Sequence, residues 1–220
     1  MGGKALQYIP WDEWQYRHEI CAVGRRMYDL FFAVGNDGNI SVRLSDDRIL
    51  ITPSGVSKGL MAPEALMIVS PTGEVLQALE GCKPSSENRM HLAIYRHRPD
   101  VRAVVHAHPP TATGLAVAGV GLDQPFLAEA VVRTGPTPLV PYVIPGGDEL
   151  PEALIPYLAD HNTLLLGNHG VVAYARTLQD AAVYLETVEF LARVYLAARQ
   201  AGQVKTFTPE QVAALRQRYG

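Results

Sequence analysis

The chain has 220 residues, of which 48% are hydrophobic and 19% are charged, a length that suits one large domain with a sizeable core. Its 19 Lys and Arg residues against 22 Asp and Glu residues give a net charge of −3, which argues against nucleic-acid binding because that needs a basic surface. Two cysteines, Cys21 and Cys82, are too few for a disulfide framework. The first residues lack a signal-peptide core, and no apolar run reaches the ~20 residues that span a bilayer. We therefore expect one cytoplasmic domain over residues 1–220 without a nucleic-acid or membrane partner.

Hydrophobic periodicity predicts helices and strands that alternate along the chain. The predicted helices begin near Pro10 and end before Gly35, begin at Ser85 or Ser86 and end near His97, and cover 111–118, 149–160, 177–200 and 209–216. The predicted strands cover 40–44, 49–52, 66–69, 101–106, 139–143, 163–166 and 171–174. This alternation predicts an α/β protein or a mixed layered form of that class.

Two histidines close the predicted strand 101–106. His106 and His108 are two residues apart, so both imidazoles point to the same face of an extended chain. Their Cα atoms would lie about 6.6 Å apart, a separation that two ligands of one metal can span. Because such a pair also occurs as ordinary core histidines, the interpretation as a metal site needs further ligands.

A third histidine and a carboxylate are the remaining candidate ligands. His169 lies in Gly167-Asn168-His169-Gly170, where two glycines permit a tight turn over the sheet end. Three histidines with an open position are typical of a catalytic zinc site. Glu87 suits either an ordinary helix start or a metal ligand and general base. His91, four residues later on the same helix face, is interpreted as a supporting or packing residue.

Three short segments rich in Gly, Ser and Asn are suited to hold an anion. The predicted helix start at Ser85 and Ser86 offers free N–H groups and two hydroxyls, which suit a phosphate. The loops 37–39 and 52–55 add backbone N–H groups, an amide and a hydroxyl, although each taken alone is an ordinary turn. The candidate phosphate-binding residues are Gly38, Asn39, Ser54, Gly55, Ser85 and Ser86.

These motifs together resemble the class II aldolase/adducin family over about residues 12–200. The resemblance is carried, in family order, by Gly38-Asn39-Ile40-Ser41-Val42-Arg43, Thr52-Pro53-Ser54-Gly55, Pro84-Ser85-Ser86-Glu87, His106-Ala107-His108-Pro109 and Asn168-His169-Gly170. It implies a three-layer α/β/α sandwich around a largely antiparallel sheet. It also implies homotetramers with fourfold symmetry and active sites between subunits.

The resemblance also implies a chemistry and a role for each candidate residue. One Zn²⁺ per subunit, or another divalent metal, would lie on His106, His108 and His169. Glu87 would ligate the metal at rest and act as acid and base during turnover, and Tyr219 would assist catalysis. The six residues of the glycine- and serine-rich segments would hold the phosphate of a sugar substrate. The implied reaction is retro-aldol cleavage of a ketose 1-phosphate to dihydroxyacetone phosphate and a short aldehyde, which makes the chain an aldehyde-lyase of carbohydrate metabolism.

One departure from the family pattern and several alternatives bear on this reaction. An aldolase of the family carries a tyrosine near the position of Leu127, but no tyrosine lies between Tyr95 and Tyr142. We therefore expect that the aldehyde released by this protein differs from the aldehyde released by that aldolase. A sugar-phosphate epimerase usually has Asp where Glu87 stands, whereas a methylthioribulose-1-phosphate dehydratase and a decarboxylase-like member share the same motifs. An adducin-like interaction module without catalysis would have lost the histidines.

Overall fold

The computed structural model describes residues 11–219, so the predictions on Pro10 and on the first six residues lie outside the described part. Its helices are α1 (Trp11–Asp29), α2 (Asn88–His97), α3 (Pro110–Val117), α4 (Glu149–Leu158), α5 (Leu178–Ala201) and α6 (Pro209–Tyr219). Its strands are β1 (Asn39–Arg43), β2 (Ile49–Ile51), β3 (Met67–Val69), β4 (Val75–Gln77), β5 (Ala103–Ala107), β6 (Leu139–Val140), β7 (Thr163–Leu166) and β8 (Gly170–Ala175). Every predicted helix and strand is present, with ends shifted by a few residues.

The eight strands form one sheet in the order β4-β3-β2-β1-β5-β8-β7-β6. Neighbouring strands run antiparallel, except that β6 and β7 are parallel. The prediction of a largely antiparallel sheet is therefore confirmed. β5 lies in the middle of the sheet, between β1 and β8, so both of its edges are hydrogen-bonded and its side chains are held in a fixed register.

Helices cover both faces of this sheet. Strand side chains alternate between the two faces, and because apolar residues stand on both, each face is packed against helices. One apolar cluster joins α1, α3 and α5 to residues such as Val105, and a second joins α2 and α4 to the neighbouring Val104. His106 has the same strand parity as Val104, and it therefore points to the face that α2 and α4 cover. The predicted α/β/α sandwich is confirmed, and the histidine pair lies on its α2 side.

Three short elements were not predicted: β4, the 3₁₀ turn Pro63–Ala65 and the π-helical turn Ala130–Thr134. The prediction of Ser85 or Ser86 as the N-cap residue of α2 was wrong, because the helix begins at Asn88 and its N-cap residue is Glu87. Pro84 instead pairs with Pro53 in an isolated β-bridge, and Ser85 to Glu87 form a turn in which the Asn88 N–H donates to the Ser85 carbonyl oxygen at 3.0 Å. Within residues 11–219, no helix is long and apolar enough to cross a membrane.

Candidate active site

His106 is fixed by the middle of the sheet. It lies opposite Asn39 of β1 and Val172 of β8, and its side chain is fully buried. Its Nδ1 atom is 2.9 Å from the carbonyl oxygen of Val171. Because a carbonyl can only accept a hydrogen bond, Nδ1 carries the proton of the neutral ring. The lone pair of His106 is therefore on Nε2, which points to the candidate site.

His108 follows directly after β5 and brings a second ring to the same place. Its Nε2 atom lies 3.2 Å from Nε2 of His106. Its Nδ1 atom lies 3.6 Å from a carboxylate oxygen of Asp37, which favours a proton on that side. A carboxylate or carbonyl behind each ring is the arrangement that orients metal-ligating histidines, with the unprotonated nitrogens facing one another.

The loop between β7 and β8 brings His169 to this pair. Its ring centroid lies 4.7 Å from that of His106 and 5.1 Å from that of His108. The predicted tight turn is present, but the residue in the left-handed conformation is Asn168, with φ of 52°. Gly170 serves close packing, since a Cβ atom there would lie 2.5 Å from the Ala107 carbonyl oxygen. The backbone of β8 can therefore pass directly beside the histidines only without a side chain at this position.

Glu87 contacts two of these rings, those of His106 and His169, from the start of α2. Its Oε1 atom is 3.0 Å from Nε2 of His169, and its Oε2 atom is 3.4 Å from Nε2 of His106. The side-chain amide of Asn39 donates a hydrogen bond of 2.7 Å to Oε2. Oε1 is buried and has no hydrogen-bond partner of good geometry.

The rings of His106 and His108 are neutral beside an ionised carboxylate. Burial lowers the pKa of His106 to about 3, and burial also lowers the pKa of His108. Burial alone would raise the pKa of Glu87, but the neighbouring His106 and His169 and the amide of Asn39 outweigh it and hold that pKa below its usual range. Near pH 7 the site therefore presents imidazole lone pairs and a negative charge, which is the protonation state that binds a metal.

This donor set fits a divalent metal ion. One ligand atom from each of His106, His108 and His169 lies within 4.8 Å of the other two. Two lone-pair nitrogens only 3.2 Å apart and a buried carboxylate oxygen without a partner are unfavourable unless a cation lies between them. Three nitrogens and one carboxylate are ligands that zinc accepts.

The segments predicted to hold phosphate meet beside these ligands. The backbone N–H of Ser54 donates to the Lys83 carbonyl oxygen at 2.8 Å, which joins the loop 52–55 to the segment before Glu87. Gly38 adopts φ of 74° and a Cβ atom there would lie 2.9 Å from the His106 carbonyl oxygen. Ser54, Gly55 and Ser86 are exposed, Ser85 is half-buried, and Gly38 and Asn39 are buried. Phosphate binding by these six residues stays a prediction.

Two other predicted positions lie away from the histidines. Tyr219 is 62% exposed and lines a surface cavity together with Ala128 and Glu129. Leu127, where an aldolase of the family carries tyrosine, is partly buried against the apolar core. Neither residue has a described contact with the three histidines. Their part in a site between subunits therefore stays a prediction.

One buried cation near the site was missed at the sequence level. Lys58 is 2% exposed, and its Nζ atom donates to the carbonyl oxygens of Asn36 at 3.0 Å and of Val56 at 2.7 Å. It thereby joins the loop before Gly38 to the loop after Gly55. A lysine within the otherwise uncharged segment 49–63 was the available signal.

Comparison with known proteins agrees with this geometry. The family model for the Class II Aldolase and Adducin N-terminal domain matches residues 18–196. The 3-oxo-tetronate 4-phosphate decarboxylase of Escherichia coli (strain K12) is 37% identical over 187 residues, covering 83% of this chain and 86% of that protein. The 5-deoxy-D-ribulose 1-phosphate aldolase of Bacillus thuringiensis serovar kurstaki is 32% identical over 205 residues, covering 92% and 94%.

The fold comparison points the same way. A solved structure of L-fuculose 1-phosphate aldolase matches with a TM-score of 0.86 at 26% identity, over 96% of this chain and 97% of that chain. These relatives are enzymes, and the resemblance to the family is confirmed. Because they include both an aldolase and a decarboxylase, the comparison does not select one reaction. The chain belongs to the class II aldolase and adducin family.

Proposed function

We propose that the protein is a metal-dependent lyase that breaks a carbon–carbon bond next to the ketone of a small phosphorylated substrate. The observation that carries this proposal is the convergence of His106, His108 and His169 with the ionised Glu87. Breaking such a bond leaves an electron pair on the carbon beside the ketone, which delocalises onto the ketone oxygen as an enediolate. When bound to the three histidines, zinc supplies Lewis-acid stabilisation of that developing negative charge.

Glu87 is the residue that transfers a proton to the substrate in this proposal. The carbon that loses its neighbour must take up a proton, and a carboxylic acid beside it can deliver one. Oε1 lies beside His169 and has no hydrogen-bond partner, while Oε2 lies beside His106 and is held by the amide of Asn39. Glu87 is ionised at rest, so its carboxylate first takes up a proton, from the substrate hydroxyl in an aldol cleavage or from water in a decarboxylation, and then transfers that proton to carbon.

The six glycine- and serine-rich positions would hold the substrate phosphate beside the metal. Backbone N–H groups and hydroxyls can bind a dianion without a basic side chain, which fits the net charge of −3. Binding the non-reacting phosphate fixes the position of the ketone and supplies energy for the reacting end.

The leaving group distinguishes two candidate substrates. In a 3-oxo acid 4-phosphate, the C1–C2 bond breaks, C1 leaves as CO₂, and C2 takes one proton to give dihydroxyacetone phosphate. In a ketose 1-phosphate, the C3–C4 bond breaks, the C4 hydroxyl loses its proton as the aldehyde leaves, and C3 is protonated to the same product. Only the second reaction needs a group that takes the hydroxyl proton.

Two observations favour the 3-oxo acid 4-phosphate as the first candidate. Leu127 offers no acid or base where an aldolase of the family has tyrosine, and a decarboxylase of such an acid is 37% identical to this chain. The ketose 1-phosphate aldolase expected from the sequence is the second candidate, favoured by the aldolase relative at 32% identity.

Product analysis tests the proposal. The zinc-loaded protein is incubated with 3-oxo-tetronate 4-phosphate and, separately, with a panel of ketose 1-phosphates, and dihydroxyacetone phosphate, CO₂ and aldehyde are quantified. Dihydroxyacetone phosphate with CO₂ supports the first candidate, and dihydroxyacetone phosphate with aldehyde supports the second. Turnover that keeps the carbon skeleton, as in an epimerase or a dehydratase, would contradict both.

The Glu87→Gln variant separates the proton-transfer role from substrate binding. It keeps the size of the side chain but cannot carry a proton, so we expect turnover to fall by about 10²–10⁴-fold. Binding of a non-reacting phosphorylated analogue should change little, because glutamine keeps an oxygen that can accept from Asn39 and the other five candidate phosphate-binding residues are unchanged. Turnover near the wild-type rate in this variant would remove Glu87 from the mechanism.

We also propose that the active unit is a homotetramer, in which Tyr219 at the exposed end of α6 reaches the site of a neighbouring subunit. Four chains of 24.0 kDa would give about 96 kDa. Light scattering of the purified protein measures this mass directly. A species of one chain's mass that retains full activity would contradict the shared site.

A further inference from the structure

A continuous row of buried side chains leads from Glu87 into the protein. The amide of Asn39 donates to Glu87 at 2.7 Å and contacts Nε2 of His91 through its oxygen. On the other side of the ring, Nδ1 of His91 is 2.7 Å from the Ser41 hydroxyl, which is 2.8 Å from the Tyr95 hydroxyl. Apart from Glu87, every residue of this row is at most 4% exposed.

The row follows from how α2 packs on β1. Glu87, His91 and Tyr95 are spaced four residues apart and therefore share one face of the helix. Asn39 and Ser41 are two residues apart on the strand and share one face of the sheet. The rise of four helical residues, about 6 Å, nearly equals that of two strand residues, so the two sets interleave.

The donor and the acceptor of each hydrogen bond in this row can be assigned, starting from Glu87. The carboxylate of Glu87 can only accept, so Asn39 presents its NH₂ group there and its oxygen to His91. The Asn39 oxygen in turn needs a donor, which places the proton of His91 on Nε2. Burial lowers the pKa of His91 to about 4, so the ring is neutral near pH 7 and its Nδ1 accepts from Ser41. With its hydrogen on Nδ1 of His91, the Ser41 hydroxyl accepts from the Tyr95 hydroxyl at 2.8 Å, which is a shorter contact than the 3.4 Å from the Tyr95 hydroxyl to the Arg102 carbonyl oxygen.

Reversing the Asn39 amide would face its oxygen against Oε2 of Glu87. Two acceptors at 2.7 Å repel, and the carboxylate would leave its place. With the present orientation Oε2 is fixed, and Oε1 is left facing Nε2 of His169 at 3.0 Å without a hydrogen-bond partner. The orientation of the amide therefore holds the carboxylate with Oε2 3.4 Å from Nε2 of His106 and Oε1 3.0 Å from Nε2 of His169.

We propose that His91 is a positioning residue for Glu87, which it controls by holding the side-chain amide of Asn39 in one orientation. His91 itself contacts neither the three histidines nor the reacting atoms. This inference rests on the proposed role of Glu87, but the tautomer of His91 and the effect of His91 on metal binding can be measured without any substrate.

The first test is the tautomer of His91 in the wild-type protein. Long-range ¹H–¹⁵N correlation spectra of histidine-labelled, metal-free protein at pH 7 distinguish a proton on Nε2 from one on Nδ1. We expect the Nε2–H form. An Nδ1–H form or a protonated ring would overturn the proposal. Because no variant is needed, the test does not depend on the folding of a mutant.

The second test compares two replacements of His91. His91→Leu fills a similar volume without a donor, whereas His91→Gln can place an N–H donor near the position of Nε2. We expect His91→Leu to weaken Zn²⁺ binding by about 10–100-fold, as loss of a supporting hydrogen bond does at metal sites, and His91→Gln to restore it to within about threefold of wild type. His97→Leu, at the exposed end of the same helix, is the matched control.

Turnover supplies the readout that a purely structural residue would not move. For His91→Leu we expect kcat to fall at least about tenfold while KM changes by less than about threefold, because Asn39 is the only one of the six candidate phosphate-binding residues that is hydrogen-bonded to His91. A folded His91→Leu protein with wild-type kcat and Zn²⁺ affinity would overturn the proposal, as would a His91→Gln protein as impaired as the leucine variant. If instead Glu87→Gln keeps full turnover, the proposed function fails, while the tautomer and the Zn²⁺ affinities still decide the role of His91.

Discussion

The close approach of β8 to the histidines makes Gly170→Ala a quantitative test of the site's packing. A methyl group there would lie 2.5 Å from the Ala107 carbonyl oxygen and 2.6 Å from Cδ2 of His108. The carbonyl cannot give way, because Ala107 and Val171 are register partners in the antiparallel pair β5–β8. Overpacking of this kind costs about 1–3 kcal/mol, and contact with backbone places the expected cost in the upper half of that range.

Displacement of His108 should also affect metal binding. We expect Gly170→Ala to lower the unfolding free energy by about 2–3 kcal/mol and to weaken Zn²⁺ binding at least about tenfold. Urea unfolding of the metal-free protein measures the first effect, and calorimetric titration with Zn²⁺ measures the second.

Gly114→Ala is the matched control for adding a methyl group. Gly114 lies in the exposed interior of α3 and has nothing within 4 Å of a Cβ position. Because alanine favours a helix, this variant should gain up to about 1 kcal/mol and bind Zn²⁺ normally. Equal urea midpoints for Gly170→Ala and wild type would refute the packing argument, and so would unchanged Zn²⁺ affinity.

Further consequences concern a helix cap, a buried lysine and the metal. Buried Glu189 accepts the backbone N–H groups of Thr111 at 3.0 Å and Ala112 at 2.9 Å, so Glu189→Leu should lower the unfolding free energy by about 2–4 kcal/mol in urea, and Glu189→Gln by less than half as much. Burial lowers the pKa of Lys58 from 10.5 to about 8. Between about pH 8 and 10.5 the unfolded chain keeps this proton while the folded chain loses it, so the unfolding free energy should rise with pH in that range, and Lys58→Met should remove that rise. Zn²⁺ at 100 times its Kd should raise the unfolding free energy by about 2.7 kcal/mol, and a chelator should reverse it.

The parts of the site that follow a simple periodicity could be predicted from the sequence. A spacing of two residues on a strand places His106 and His108 on one face, and the structure brings both rings together with His169. The turn before Gly170 was expected for its flexible glycines, but Asn168 takes the left-handed conformation and Gly170 serves close packing. Spacing therefore predicted which side chains come together, whereas the structural role of Gly170 could be seen only from the atoms that surround it.

Features that depend on long-range contacts could not be predicted in this way. The two serines before Glu87 look like a helix start, but Pro84 pairs with Pro53, the serines lie in the turn that follows this bridge, and α2 begins at Asn88. β4 is largely exposed at the edge of the sheet, and its adjacent apolar residues Val75 and Leu76 do not show the alternation that predicts a strand. The link from His91 through Asn39 to Glu87 joins residues 48 and 52 positions apart, which no local pattern reveals.

Metal stoichiometry tests the central claim, that three histidines form one catalytic metal centre, most directly. Metal-free wild type, His106→Ala and His97→Ala are titrated with Zn²⁺ by calorimetry, the last as a control that removes an exposed histidine. We expect one high-affinity site per chain in wild type and in His97→Ala, and none in His106→Ala. A high-affinity site that persists in folded His106→Ala would contradict the metal centre and the mechanism built on it.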